Sequence, residues 1–192
     1  GDAKLQKGLG LIKVKAVVNR ASAVAEFGDF ETLREAGKEI RNRALADLDL
    51  YLERFEREAT ARGAVVHWAE NASEACRIVV DIAKQNGVRT VAKSKSMVSE
   101  EVGLNDALIE AGIEPIETDL GEYIIQLAKE PPSHIIAPAI HKSKEEVSDL
   151  FVLHHKRPRL TEHAALTREA RDVLRGHFLS ADLGISGANF LV

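Results

Sequence analysis

The chain has 192 residues, 45% apolar and 29% charged, which suits one compact domain with or without an appendage and excludes a disordered, collagen-like or disulfide-scaffold protein. With 26 Lys and Arg against 30 Asp and Glu the net charge is -4, which argues against nucleic acid as a partner. The one cysteine, Cys76, can form no internal disulfide and cannot alone hold zinc or an iron–sulfur cluster. There is no apolar run near the roughly 20 residues of a membrane span and no signal-peptide pattern, so the cytoplasm is the expected location.

Residues 4 to 26 alternate Lys with Leu, Ile and Val and read as a helical arm, placed as an N-terminal segment 1–28. From Asp29 to Arg62 the residues Leu33, Ala36, Ile40, Ala44, Leu48, Tyr51, Leu52, Phe55 and Ala59 recur every three or four positions. That spacing predicts one amphipathic helix of roughly 33 residues, about 50 Å long, capped by Asp29, stopped by Gly63, with Gly37 as its weak point.

Beyond Gly63 short β-rich runs alternate with capped helices, the pattern of a parallel sheet wrapped by crossovers. The predicted strands are Val65–Trp68, Val88–Ala92, Ile113–Ile116 and His134–Ile136, with a return to the sheet over 182–192. The predicted helices are Ala72–Gln85 behind Asn71, one from Ser99 to Gly112, a short one from the Asp119/Glu122 box to Leu127, one from the Ser143/Glu146 box to about His154, and Thr167–Phe178. The fold expected for 29–192 is a three-layer α/β/α domain. The only Met is Met97, and the apolar run Asn189–Val192 has no turn after it, so the chain is expected to be a trimmed piece.

Ligands of open α/β sheets sit outside the carboxyl ends of the strands. Lys93-Ser94-Lys95-Ser96 puts two ammonium groups and two hydroxyls between a strand and a helix start, where an anion is favoured, although a solvated turn with a Ser cap uses the same residues. Asp119 and Glu122 are raw material for acid–base chemistry or simply caps. His141 closes a predicted strand, and Gly184, Gly187 and Asn189 allow a tight turn or a close ligand approach. His154, His155 and His163 fall among Lys156-Arg157-Pro158-Arg159 and read as a surface loop, with no metal motif, and Cys76 reads as a buried thiol. No P-loop or G-x-G-x-x-G occurs.

The strings Ala44-Leu45-Ala46-Asp47-Leu48-Asp49, Lys93 to Glu101, Glu117 to Ile124, Glu130-Pro131-Pro132-Ser133-His134-Ile135 and Gly184 to Phe190, in this order, resemble the LUD domain of the lactate utilization proteins. The resemblance implies the fold group of the ribose-phosphate isomerases, glucosamine-phosphate isomerases and CoA-transferases. It implies a role in oxidation of L-lactate to pyruvate, sibling lactate utilization subunits as partners, and two 4Fe-4S clusters in a cysteine-rich ferredoxin-like region beyond this chain. No cofactor is expected within residues 1–192. It also draws Ser94, Lys95, Ser96, Asp119, Glu122 and Gly187 towards one cleft, with lactate or pyruvate as candidate ligand. A stand-alone enzyme of the isomerase or CoA-transferase type, and a pure interaction module, are the alternatives.

Overall fold

A computed structural model describes residues 3–133 and 137–187. The chain divides into two compact units, one of Leu9–Trp68 and one built around the segment from Ala69 onward.

The first unit is helical: α1 (Ala3–Phe27), α2 (Phe30–Ala46) and α3 (Leu48–Ala61). Asp29 caps α2 by accepting from the Thr32 N–H at 3.3 Å, and Phe27 meets Phe30 edge to face across the turn, with Arg20 over the Phe30 ring. The single long helix expected over 29–62 breaks once, at Asp47 (φ -115, ψ 30), and not at Gly37, which lies inside α2. Asp competes with the helix for backbone bonds, whereas a Gly followed by good helix formers is tolerated. No residue of α2 or α3 is buried. The strand expected at Val65–Trp68 does not form: these residues are irregular, and the Trp68 Nε1–H donates to Glu56 at 3.2 Å. A β-prone run becomes a strand only beside a partner, and among the described residues none pairs with it.

The second unit has the expected α/β architecture. Its parallel sheet has the order β2–β1–β3, from β1 (Thr90–Lys93), β2 (Glu114–Glu117) and β3 (Leu183–Ile185). Thr90 pairs with Glu114 and Lys93 with Glu117, while Val91 pairs with Leu183. The helices are α4 (Ala72–Gln85), α5 (Met97–Glu101), α6 (Leu104–Glu110), α7 (Leu120–Ala128), α8 (Lys144–His155) and α9 (His163–Ser180).

Three caps lie where the sequence placed them. Asn71 accepts from the Glu74 N–H, Asp119 from the N–H groups of Gly121 and Glu122, and Ser143 with Glu146 closes a complete capping box. Other boundaries differ. Ser96, not Ser99, caps α5; the helix expected to run to Gly112 is split at Gly103, whose φ of +73 leaves the helical region; and α9 starts four residues before Thr167, at His163. The strand expected at His134–Ile136 and the run Asn189–Val192 lie outside the described residues.

One apolar cluster joins α4 and α6 to the sheet through Cys76, Ala83, Val91, Leu104, Leu108 and Ile113. A second joins α7, α8 and α9 through Tyr123, Ile124, Phe151, Leu166, Ala170 and Leu174. The outer edge of β2 is closed by one side chain: the Gln126 amide donates to Pro115 O at 2.8 Å and accepts from the Glu117 N–H at 3.0 Å, standing in for a neighbouring strand. At the other side the Asp182 carboxylate accepts from the N–H groups of Arg89 and Thr90 and from the Thr90 hydroxyl, which aligns β3 on β1 and holds that carboxyl below its ordinary range.

Leu108 is fully buried, so Leu108→Ala is expected to destabilise the domain by about 2–5 kcal/mol in urea unfolding. A loss under about 1 kcal/mol would place that side chain outside a packed core.

Candidate functional site

Strands β1 and β2 end side by side in Lys93 and Glu117, and parallel register puts both side chains at the carboxyl end of the sheet. Lys93 has no solvent exposure and Glu117 has 4%. Their charges meet at 2.7 Å. The Lys93 ammonium also donates to Ser99 Oγ at 3.1 Å, whose hydroxyl donates to Ser96 O at 2.8 Å. Asn105 Nδ2 donates to Glu117 Oε1 at 2.7 Å. The Thr118 backbone N–H and hydroxyl both bond Lys93 O, so the loop after β2 is sewn to the end of β1.

Lys95 follows on the more open side. Its ammonium lies 2.8 Å from Glu122 Oε1 and 3.4 Å from Asp119 Oδ1. The Glu122 carboxylate therefore turns to Lys95 instead of completing the expected box with Asp119. Burial alone would lower the Lys95 pKa, but Glu122 and Asp119 together hold it above the ordinary value.

Glu100, exposed on α5, comes within hydrogen-bonding range of Glu122. Desolvation, the bond to Glu122 and the charges of Glu122 and Glu117 push its carboxyl up to about 7, against the pull of Lys93. Burial would also raise Glu122, yet the Lys95 and Glu100 hydrogen bonds bring it below its ordinary value. Glu117 is raised by burial in spite of Lys93 and Asn105. Three buried acceptor atoms, Glu117 Oε2, Glu122 Oε2 and Asn105 Oδ1, meet no donor among the fixed groups. A proton carried on one carboxyl and shared with the next is the donor such a group calls for. Two ammoniums among four carboxylates, one of which holds its proton near neutral pH, let the cluster store and pass on a proton.

Of the residues singled out from the sequence, the structure brings Lys95, Ser96, Asp119, Glu122 and Gly187 together. Gly187 earns its place sterically, because a Cβ there would lie 2.8 Å from Ser96 Cβ. Ser94 donates its N–H to Ile185 O and shares a hollow of 460 Å³ with Gly184, Phe178 and Leu183. His141 bonds Ser133 Oγ at 2.8 Å and Glu130 Oε2 at 2.9 Å, in a separate network that includes Lys142. Asn189 lies outside the described residues. Glu100, Glu117 and Asn105 are not among the candidate site residues read from the sequence; the clue available was that a charged residue follows each of two consecutive predicted strands.

The LUD domain model matches residues 52–192. The chain belongs to the LUD domain family. Lactate utilization protein B of Bacillus thuringiensis (strain Al Hakam), of Bacillus cereus (strain AH187) and of Bacillus anthracis (strain A0248) are each 39% identical to it over 191 residues. The match covers 100% of this chain and 40% of each relative, so the chain spans less than half the length of these proteins. No solved structure matches. Among the described residues no helix is long and apolar enough to cross a membrane, and no group of three His, Cys, Asp or Glu is arranged to hold a metal ion. The iron–sulfur clusters implied by the family resemblance do not fit this LUD segment: its single thiol, Cys76, is buried and bonded to Val102 O at 3.2 Å.

The raised Glu100 carboxyl sets a pH dependence for LUD-domain stability. Its folded pKa exceeds the unfolded one, so the folded state holds the extra proton and stability falls as pH rises from about 4.5 to about 7. Glu100→Gln, which mimics the protonated form, is expected to match the wild-type melting temperature at pH 4.5 and to exceed it at pH 8. Equal melting temperatures at both values would show that Glu100 holds no such proton.

Proposed function

We propose that this chain is the LUD segment of a cytoplasmic protein that takes part in oxidation of L-lactate to pyruvate. The observation that carries this reading is the 39% identity, over the whole of this chain and 40% of the relatives, with proteins named lactate utilization protein B. The complete protein is read as an iron–sulfur electron-transfer component with two 4Fe-4S clusters whose ligands lie outside residues 1–192. The electron path is therefore not part of this segment.

Within the segment, the carboxylate–lysine cluster is the group that meets the small carboxylate, lactate or pyruvate. An ammonium has three donors, and Lys95 commits two of them, to Glu122 and Asp119. The third is left for the ligand carboxylate. Oxidation of an alcohol also releases the hydroxyl proton, and Glu122 with Glu100 is the pair suited to accept it near neutral pH. Lys93 and Glu117, too buried to meet a ligand, hold the two strand ends in register behind them. Sibling subunits are the partners in this reading; α2 and α3, with Leu33, Ile40, Leu45 and Tyr51 exposed, offer the apolar surface for them.

The second reading, a free-standing enzyme of the sugar-phosphate isomerase or CoA-transferase type, rests on the same cluster, since a carboxylate base beside a lysine also serves proton transfer next to a carbonyl.

In the full-length protein with its sibling subunits, Glu122→Gln is expected to lower lactate-dependent reduction of an artificial acceptor at least about 100-fold with unchanged iron content, the scale of a lost acid–base group. The wild-type rate is expected to rise through about pH 7, and Glu100→Gln to lose that rise. An unchanged rate in Glu122→Gln removes the cluster from lactate chemistry; turnover of a sugar phosphate or a CoA ester by this chain alone would favour the second reading.

A further inference from the structure

A second cluster of titratable groups lies away from the carboxylate–lysine site, beside the closed edge of β2. The Tyr123 hydroxyl is 2.9 Å from His155 Nε2, and His155 Nδ1 is 2.7 Å from Glu169 Oε1. The two ring nitrogens of His155 thus link the Tyr123 hydroxyl to the Glu169 carboxyl. Tyr123, His155 and Glu169 come from three different helices; Tyr123 and Glu169 are buried, and the His155 side chain is 3% exposed. The His155 ring is packed between Tyr123 and Phe151, with ring centroids 6.0 and 4.5 Å away. This corrects the reading of the histidines from sequence: His155 lies on α8 with its side chain buried, not in a surface loop.

The relay does not end in the core. Tyr123 and His155 form part of the wall of an open groove of 810 Å³, whose apolar floor includes Ile113, Ile116 and Val173. Arg157, His154 and His177 line the same groove, against one carboxylate, Glu114, from β2. Among the described residues no hydrogen bond or ion pair engages the side chains of Arg157, His154 or His177, whereas Arg159, two positions on, is paired with Asp149. A volume in the range of organic-ligand pockets, an apolar floor and an unpaired guanidinium together describe a site for an amphipathic anion.

We propose that this groove binds an organic anion with an apolar body, its acidic head held by Arg157 with His154 and His177 and its body laid over Ile113, Ile116 and Val173. The site is independent of the lactate reading. Its ligand is larger than lactate, and its groups come from α6 to α9 and β2 rather than from the strand ends.

The test is calorimetric titration of this chain with 1-naphthyl phosphate, with inorganic phosphate as the arm that lacks an apolar body. Wild type is expected to bind naphthyl phosphate at least tenfold more tightly than inorganic phosphate. Arg157→Ala, an exposed position whose change leaves the core intact, is expected to weaken naphthyl phosphate at least tenfold. Val173→Asp, which sets a carboxylate on the floor, is expected to abolish it, with the far-ultraviolet circular dichroism checked for an intact fold. Absence of binding at millimolar naphthyl phosphate, equal affinity in Arg157→Ala, or equal affinity for the two phosphates overturns the proposal.

Discussion

The buried ion pair of Lys93 and Glu117 is the constraint on which the rest of the α/β unit depends. Taking two charges out of water costs several kcal/mol apiece, and the loss is offset only where the partners are close and further hydrogen bonds support them. Parallel register supplies the closeness by ending β1 and β2 at the same level. Further bonds to the charged groups come from Ser99 and Asn105, and Thr118 ties the loop into α7 to the Lys93 backbone carbonyl, so α5, α6 and that loop are placed around one lysine and one glutamate. An apolar pair would pack as well at lower cost, so what the ion pair contributes is orientation, since only one arrangement of these elements satisfies it.

That orientation places the neighbouring charges. Asp119 caps α7 with the same oxygen that faces Lys95, and Ser96 caps α5 where Gly187 comes closest. Two helix starts and three strand ends thus converge on Lys95, Glu122 and Glu100. The crowding of carboxylates there is tolerated because one of them keeps its proton near neutral pH. A site that stores one exchangeable proton between acidic groups is suited to a reaction that releases or consumes one.

Much of this was legible in the sequence where the signal is local. Asn71, Asp119 and the Ser143/Glu146 box each bond a backbone two or three residues away, so spacing alone reveals them. The parallel sheet was legible from β-rich runs separated by capped helices, and Lys95, Asp119 and Glu122 from their places after strands. The misses have a common physical origin. Asp47 breaks a helix whose apolar periodicity continues through it, Val65–Trp68 has strand composition without a strand beside it, and Ser96 and Ser99 are equally good caps until Lys93 claims the Ser99 hydroxyl.

The long-range groups were invisible for the opposite reason. His155 sits in a run of His, Lys and Arg that looks solvated, and only the fold brings it to Tyr123, 32 residues earlier, and Glu169, 14 later. Glu117 stands two residues before a recognisable cap and was eclipsed by it. In both cases a polar side chain is buried because a partner distant in sequence makes burial tolerable. Helix and strand periodicities describe which face of an element is apolar, and they carry no information about which polar residue on that face has found a counter-charge. For this fold the chemistry-bearing side chains are those exceptions, so local pattern recovers the frame more fully than the site.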